Sequence, residues 1–449
     1  METSGDNGID FRHPVLWDTP DRIRRELVNA MSHIYRHGMT TTSGGNLSVA
    51  DGLGNIWITP SGTDKGSMKP GDVVCVAPDG AYEGLHRPSM EYPMHRAVFD
   101  ARPDLTALIH AHPPVLTSFS IVHCIPDTSV VHEWQELCGP VGYAAFAVPG
   151  SISLGELVAP EFSKGHNAVI MENHAVIVGG RNLAEALARL ETLEYCAGAI
   201  HAAGYREGIV MPGDSRQEHP DSTAGGRMQL SGPELPLETV GSILNPEEEQ
   251  LAEEICVMAV RACDRGLMYG FSGTVSARSD GGTVLITPGT VLRCSLVKDD
   301  IVPYRGGEDA CPGEDRLHSE IYQRFPAVRA VITARPQYLM AFAISGRATD
   351  VRTIPESWLL LRELPALPSV TTGRDHEPVL SKLAEGFPAV LIGNDAVLVT
   401  GESLLQAFDR LEVAEMTARS LVIGDSLGAV SPISNGNIEK LRIAFGIND

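Results

Sequence analysis

Paired cysteine motifs, long hydrophobic runs and an excess of positive charge are all missing from this chain of 449 residues. The eight cysteines are scattered and none forms a Cys-x-x-Cys pair, which favours reduced thiols in a cytoplasmic protein over a disulfide framework. No apolar run reaches about 18 residues, so no membrane-spanning helix is expected. The net charge of −22 argues against nucleic acid and anionic membrane surfaces as partners.

The sequence contains two copies of one plan. The first copy begins at Asp18-Thr19-Pro20 and the second at Asn245-Pro246-Glu247, and both segments are signals of a helix N-terminus. Each copy continues with a glycine loop, a strand that ends in Thr-Pro, a Glu-x-x-x-His segment, a buried strand and a final strand–turn–strand–helix. The shared order over roughly 180 residues predicts a duplicated domain.

The boundaries follow from this repeat. We predict a flexible arm over residues 1–14, a first domain over 15–204, a linker over 205–244, a second domain over 245–425 and a C-terminal tail over 426–449. The alternation of strands and helices indicates an α/β layered architecture and leaves the strand order open. The predicted buried positions of the two first helices are Ile23, Leu27, Met31 and Ile34, and Leu251, Ile255 and Met258.

A pair of histidines follows a predicted buried strand in the first copy. Leu105–Ile109 is apolar enough for such a strand, and His110-Ala111-His112 comes directly after it. Strand side chains alternate between faces, so both imidazoles point the same way. Two imidazoles side by side make half of a transition-metal site, although an isolated pair is more often only hydrogen-bonded or solvated.

The polar positions of the two copies differ as a set. Three histidines of the first copy are replaced in the second by threonine, arginine and aspartate: His110, His112 and His174 against Thr333, Arg335 and Asp395. Histidines that serve packing have no reason to disappear together, whereas ligands of one metal do. Three imidazoles leave an open coordination position, which is typical of a catalytic metal site.

Both copies keep a carboxylate and a histidine one helical turn apart. In the first copy Glu91 is either a proton-transfer group, a fourth metal ligand or a carboxylate that interacts with the dipole of a helix N-terminus. Glu314 stands at the matching position in the copy without the three histidines. His95 recurs there as His318, which favours a structural role for this histidine.

The motifs resemble those of the class II aldolase and adducin head-domain family, most specifically in the first copy. The motifs are Gly45-Asn46-Leu47-Ser48, Thr59-Pro60-Ser61-Gly62, Pro88-Ser89-Met90-Glu91, His110-Ala111-His112-Pro113 and Asn173-His174-Ala175. The resemblance implies two tandem three-layer α/β/α domains, each around a mostly antiparallel central sheet.

The resemblance also implies roles for individual residues. His110, His112 and His174 would bind the metal, which is usually zinc and sometimes manganese, cobalt or iron, with Glu91 as the acid/base. A pocket for a substrate phosphate or carboxylate would be formed by Gly45, Asn46, Thr59, Ser61, Gly62 and Ser89. Small residues of this kind let backbone N–H groups converge on an anion.

Three positions depart from the family pattern. Met90 stands where members that bind phosphate usually have a second serine, which opens room for an unphosphorylated or apolar substrate. The aldolases use a tyrosine from a neighbouring subunit as proton donor, and the corresponding segment here offers His132, which is either a second catalytic group or a surface residue. Ala175 replaces a glycine, which is a mild change.

The leading functional hypothesis is a metal-dependent lyase. It would carry out aldol-type carbon–carbon cleavage or formation on a small hydroxy-carbonyl or sugar-like substrate, through a metal-stabilised enediolate. Decarboxylation, dehydration and epimerisation pass through the same kind of intermediate and stay open. An Fe(II) oxygenase and a non-enzymatic, adducin-like binding module are the alternatives from other classes.

The two copies are expected to divide the work. The first would catalyse and the second would act as a scaffold in which the charge of Arg335 replaces the ion near Glu314 and Asp395. Because the family typically forms a four-fold ring with sites between neighbouring subunits, a homodimer that makes a four-domain ring is expected.

Overall fold

The computed structural model describes residues 19–204, 209–210, 244–304, 315–368 and 375–447. The chain divides into two compact units, which we call the first and second units. The first contains the described residues up to Gly198 together with 209–210, and the second contains those from 244 onward. The arm over 1–14 and nearly all of the predicted linker lie outside the described residues.

The first unit is built on one eight-stranded sheet. Its helices are α1 Pro20–Arg36, α2 Tyr92–Ala101, α3 Pro114–Ile121, α4 His132–Cys138, α5 Ile152–Ser163 and α6 Leu183–Ala203. Its strands are β1 Asn46–Ala50, β2 Ile56–Ile58, β3 Val74–Val76, β4 Tyr82–Glu83, β5 Ala107–Ala111, β6 Ile125–Pro126, β7 Gly142–Ala144, β8 Ala168–Met171, β9 Ala175–Gly180 and β10 Ile209–Val210. The sheet order is β4-β3-β2-β1-β5-β9-β8-β7, and β6 pairs with β10.

The second unit repeats this plan. Its helices are α7 Pro246–Asp264, α8 Asp315–Arg324, α9 Gln337–Ser345, α10 Pro355–Leu361, α11 Glu377–Ala384, α12 Leu404–Leu427 and α13 Asn435–Ala444. Its strands are β11 Thr274–Arg278, β12 Val284–Ile286, β13 Val302–Tyr304, β14 Ala330–Ala334, β15 Ala366–Leu367, β16 Ala389–Ile392 and β17 Ala396–Gly401. The sheet order β13-β12-β11-β14-β17-β16-β15 matches that of the first unit without β4.

Both sheets are mostly antiparallel, and the one parallel pair in each stands at the same edge, β7 with β8 and β15 with β16. The predicted fold class is therefore confirmed: helices cover a mostly antiparallel sheet in each of two tandem copies. The core of the first unit packs α2 and α5 on one face of the sheet, with Met94, Val98, Leu154 and Val158 among the buried residues. Within the described part of the chain, no helix is long and apolar enough to cross a membrane.

The helix starts agree with the sequence signals. Thr19 caps α1 through its side chain, and Asn245 and Glu248 form a capping box at α7. The predicted buried stripe of α1 is confirmed. In α7 only Ile255 of the three predicted residues is buried, because the packed face is formed mainly by the small residues Ala252, Cys256 and Ala259.

Some element boundaries differ from those predicted. The buried strand of the first unit is β5, Ala107–Ala111, so His110 lies inside the strand and not beyond its end. The final helix of the second unit extends to Leu427, and the predicted tail contains α13.

Candidate metal centre

Three histidines come together at the end of β5 and the turn between β8 and β9. The ring centroids of His110 and His112 are 4.9 Å apart, those of His110 and His174 are 4.8 Å apart, and those of His112 and His174 are 5.3 Å apart. One ligand atom from each residue lies within 4.8 Å of the other two. We call these residues the histidine trio. Among the described residues this is the single group of its kind.

The backbone places each ring. His110 pairs with Ile177 across β5 and β9, and His112 follows two residues later on the same side. His174 stands in the turn after β8, which Asn173 closes with a left-handed φ of 51°. The matching turn of the second unit uses Asn394 with φ of 54°, so the turn belongs to the repeated frame and the histidine is added to it.

The tautomer of His110 is fixed by its surroundings. Its Nδ1 lies 2.9 Å from the carbonyl oxygen of Val176, which can only accept, so Nδ1 carries the hydrogen. The Nε2 lone pair of the neutral ring then points at His112, whose Nε2 is 3.1 Å away. A backbone acceptor of this kind is how proteins orient metal-binding histidines.

The electrostatics keep the trio neutral. Burial, opposed by the charge of Glu91, lowers the pKa of His110 to about 4. Burial also lowers the pKa of His112 and of His174. Neutral imidazole is the form that binds metals. Three imidazoles with one ligand atom each within 4.8 Å of the others fit a divalent cation, and His174 Nδ1 is buried without a hydrogen-bond partner in the described structure.

Glu91 faces the trio. It occupies the N-cap position of α2, where a carboxylate can interact with the helix dipole, but its side chain makes no capping hydrogen bond. Its Oε2 is 3.2 Å from His110 Nε2, and its Oε1 is 3.5 Å from His174 Nε2. Burial raises the pKa of Glu91, but His110 and the hydrogen bond from Asn46 outweigh it and hold this pKa below its usual value.

Two of the six predicted substrate-binding residues, Gly45 and Thr59, are required by the local backbone. Gly45 has φ of +69°, and a Cβ there would lie 2.7 Å from the carbonyl oxygen of His110. The hydroxyl of Thr59 accepts the N–H of Leu47 at 3.1 Å, and Thr287 does the same for Val275 in the second unit. Their substrate-binding role stays a prediction.

Ser61 connects the Thr59–Gly62 loop to the segment that carries Glu91, and Ser89 makes a local bond within that segment. The exposed Ser61 accepts the N–H of Met90 at 2.8 Å and donates to the Pro88 carbonyl oxygen at 3.3 Å. The buried Ser89 accepts the N–H of Glu91 at 3.3 Å. Gly62 is exposed, with φ of +70°.

The sixth residue, Asn46, contacts the acid/base candidate directly. Its Nδ2 donates to Glu91 Oε2 at 2.7 Å, and its Oδ1 lies 2.5 Å from His95 Nε2. His132, by contrast, is exposed at the first position of α4. Within the described chain it makes no hydrogen bond or ring contact with the trio, so its catalytic role stays a prediction.

The second unit has different chemistry at the matching positions. Buried Arg335 donates from Nη2 to Asp395 Oδ1 at 3.1 Å. Thr333 Oγ1 lies 2.8 Å from His318 Nε2. Glu314, which was expected beside Arg335, lies outside the described residues. An arginine and an aspartate therefore form an ion pair where the first unit has two histidines.

One polar cluster beside the trio escaped the sequence analysis. His123 Nε2 lies 2.9 Å from Asn173 Oδ1 and 3.7 Å from Glu172 Oε1. Tyr143 donates a hydrogen bond to Glu172. Burial and the negative charge of Glu172 raise the pKa of Tyr143 to about 12. In the second unit the matching residues are the small Gly346, Gly393 and Ala366. A comparison of the two copies beyond their shared motifs would have found this difference.

The comparisons with known proteins agree on one family. A family model described as Class II Aldolase and Adducin N-terminal domain matches residues 25–201 and again residues 253–422. The 5-deoxy-D-ribulose 1-phosphate aldolase of Bacillus thuringiensis serovar kurstaki is 33% identical over 178 residues, which is 39% of this chain and 82% of the relative. The 3-oxo-tetronate 4-phosphate decarboxylase of Escherichia coli (strain K12) is 29% identical over 188 residues, 41% of this chain and 88% of the relative.

Among solved structures, l-fuculose-1-phosphate aldolase from Thermus thermophilus is similar with a TM-score of 0.36 and 26% identity, and the match covers 40% of this chain and 94% of that one. Each relative thus matches less than half of this chain but most of its own length. The family model accounts for most of the chain, in two separate matches that coincide with the two units. This protein therefore belongs to the class II aldolase and adducin N-terminal domain family, as a tandem member.

Proposed function

We propose that the first unit is a metal-dependent lyase that makes or breaks a carbon–carbon bond in a small hydroxy-carbonyl or sugar-like compound. The observation that carries the proposal is the position of Glu91 Oε1. This oxygen is buried beside three neutral imidazoles and has no hydrogen-bond partner among the described residues. A carboxylate oxygen held in this way beside a cation site is suited to proton transfer.

The metal would be held by His110, His112 and His174. Zinc suits three imidazoles with an open position, and Mn²⁺, Co²⁺ or Fe²⁺ are the alternatives. When bound, a divalent ion supplies the positive charge that polarises a substrate carbonyl and stabilises negative charge on its oxygen. Strand β5, which pairs with β9, and the turn at Asn173 position the three imidazoles that would bind the ion.

Glu91 would move the proton. In the cleavage direction Oε1 would accept the proton of the substrate hydroxyl as the adjacent carbon–carbon bond breaks and its electron pair passes to the carbon next to the carbonyl. The protonated carboxyl would then give this proton to that carbon. In the synthetic direction the same oxygen would take a proton from that carbon and give it to the new hydroxyl. Asn46, which donates to Oε2, stabilises the ionised form in which Glu91 can act as the base.

The polar end of the substrate would bind near Ser61, Gly62 and Ser89. Ser61 bonds to the segment Pro88–Glu91 and Ser89 belongs to it, so a group bound there would lie close to the acid/base. The relatives are named for phosphorylated sugars and a phosphorylated oxo-acid, which supports an anionic end. Met90 is 67% exposed beside this loop and adds an apolar contact.

Decarboxylation is the second candidate, because the similar Escherichia coli protein is named as a decarboxylase. The two reactions differ in whether an aldehyde or carbon dioxide leaves, and the same residues can serve both.

Thr333, Arg335 and Asp395 of the second unit cannot supply three nitrogen ligands, and we propose that this unit is a scaffold. A homodimer that forms a four-domain ring is part of the same proposal.

Metal removal tests the proposal. Protein stripped with a chelator is assayed with Zn²⁺, Mn²⁺, Co²⁺ or Fe²⁺ against a panel of ketose phosphates, their unphosphorylated forms and oxo-acid phosphates. Turnover that returns with metal, together with a kcat of Glu91→Gln lowered about 10²–10⁴-fold at unchanged metal content, supports it. Activity indifferent to metal contradicts it, and oxygen consumption that needs Fe²⁺ favours an oxygenase.

A further inference from the structure

A buried hydrogen-bonded chain leads from β1 to the carboxylate of Glu91. Ser48 Oγ lies 2.6 Å from His95 Nδ1, His95 Nε2 lies 2.5 Å from Asn46 Oδ1, and Asn46 Nδ2 lies 2.7 Å from Glu91 Oε2. All four residues are buried. We call this arrangement the Asn46 relay.

The direction of each hydrogen bond follows from the carboxylate end. Ionised Glu91 can only accept, so Asn46 presents its NH₂ group to Glu91 and its carbonyl oxygen to His95. His95 must then carry its hydrogen on Nε2. In the neutral ring Nδ1 is left to accept the hydroxyl hydrogen of Ser48, and burial, which lowers the pKa of His95 to about 3, keeps the ring neutral.

The second unit retains the histidine, as His318, but the hydrogen-bond partner of its Nε2 differs. His318 Nδ1 contacts Ser276 Oγ at 2.7 Å, as His95 contacts Ser48. Its Nε2, however, contacts Thr333 at 2.8 Å, and Thr274 stands at the place of Asn46. The serine contact is therefore part of the repeated frame, whereas the contact with an asparagine that reaches a carboxylate is found in the first unit.

We propose that His95 is a positioning residue for proton transfer, which acts on Glu91 through Asn46. His95 fixes the orientation of the Asn46 side-chain amide, so that the amide NH₂ group donates to Glu91 Oε2. Glu91 Oε1 is then the oxygen that exchanges the proton. This inference rests on the proposed lyase function and adds to it a residue that does not contact substrate or metal.

The test compares two substitutions that differ in one donor. The amide NH₂ of His95→Gln can reach the place of the imidazole Nε2–H, whereas His95→Leu removes it. We expect His95→Leu to lower kcat about 10–100-fold with KM and bound metal within twofold of wild type, and His95→Gln to stay within about threefold of wild-type kcat. Enzyme-catalysed exchange of the C–H proton next to the substrate carbonyl with deuterated water should slow by the same factor as kcat.

The second unit provides the matched control. His318→Leu removes a buried histidine from the same frame, so it should lower the melting temperature as His95→Leu does and leave kcat unchanged. A double substitution tests the route through the amide: in an Asn46→Ala background, His95→Leu should lower kcat by less than twofold more.

Each outcome decides between the alternatives. Wild-type kcat in His95→Leu, equal losses in the leucine and glutamine variants, or additive losses in the double variant would each overturn the positioning role while the lyase function stands. A wild-type protein that is inactive and exchanges no substrate proton with any of the four metals would overturn the lyase function and the positioning role with it.

Discussion

The two units have the same sheet order and different side chains where β5 and β14 end. In the first unit this edge brings together three imidazoles and a carboxylate, and in the second an arginine, an aspartate and a threonine. Both units have the same left-handed asparagine turn and the same Thr-to-backbone bond. The difference teaches that the sheet does not depend on the site, so the site can be lost without loss of the fold.

The comparison also shows where the first unit carries strain. His123 adopts φ of 55° at the end of α3, where the second unit has Gly346 with φ of 65° at the end of α9. A residue with a Cβ pays about 1–2 kcal/mol in this region, and glycine does not. The first unit therefore keeps a histidine beside Glu172 and Asn173 against the preference of the backbone, which is typical of functional positions.

The largest expected effect comes from the trio itself. His110→Ala removes one imidazole and should reduce bound metal to background and turnover by roughly 10³-fold or more, because the charge that the ion contributes is worth several kcal/mol. The matched substitution Thr333→Ala in the second unit should leave metal content and kcat unchanged. Metal analysis of both purified variants checks this, and equal metal loss in both would break the contrast between the units.

A partly buried carboxylate at the same place in both units predicts a pH effect on stability. Glu194 accepts the N–H groups of Val115 and Leu116, and Glu415 accepts those of Tyr338 and Leu339. Burial raises the pKa of Glu415 to about 8, against the opposing effect of these two bonds. Folded protein then holds a proton that unfolded protein releases above about pH 4.5, so stability falls as the pH rises from about 4.5 to 8.

At about 1.4 kcal/mol for each pKa unit, the pH-dependent contribution of Glu415 to the free energy of unfolding amounts to a few kcal/mol. Glu415→Gln lacks this titrating group. The difference in free energy of unfolding between the variant and wild type, measured by urea titration, should therefore move in favour of the variant as the pH rises from 5 to 8.5. Glu194→Gln should shift in the same direction, since burial also raises the pKa of Glu194. If the free energies of unfolding of wild type and Glu415→Gln change in parallel with pH, Glu415 does not contribute to the pH dependence of stability.

A pair of glycines separates backbone strain from close approach. Gly45 and Gly38 have nearly equal positive φ, but only at Gly45 would a Cβ meet the carbonyl oxygen of His110, at 2.7 Å. Gly45→Ala should cost about 2–3 kcal/mol of unfolding free energy and Gly38→Ala about 1 kcal/mol, measured by denaturant titration. Equal costs at the two positions would show that β5 moves away from Gly45 without penalty.

The smallest expected effect is a gain. His123→Gly should raise stability by up to about 1 kcal/mol, because it relieves the left-handed conformation, and the reverse change Gly346→His should lower it by a similar amount. Melting temperatures of the two variants check this. A loss of stability in His123→Gly would mean that its contacts with Asn173 and Glu172 outweigh the strain.

Much of this architecture could be predicted because it is encoded locally and twice. The caps at Thr19 and Asn245 and the two-residue alternation that puts His110 and His112 on one side are properties of short segments. The joint replacement of the three histidines in the second copy marks them as a set in the sequence alone. The stripe of α7 was predicted less well, because Ala252 and Ala259 carry little hydrophobic signal and are buried by close helix packing.

The duplication and the histidine set can be recognised from the chain alone, because capping signals and the comparison of the two copies need no long-range contacts, whereas the mostly antiparallel fold class follows from the resemblance of the motifs. Only the fold shows which partner each polar group meets: that Glu91 faces the trio from the N-cap of α2, that Asn46 joins His95 to Glu91, and that His123 reaches the turn of His174. Hydrogen bonds are short and directional, so residues dozens of positions apart find their partners only when the sheet and its covering helices bring them within about 3 Å.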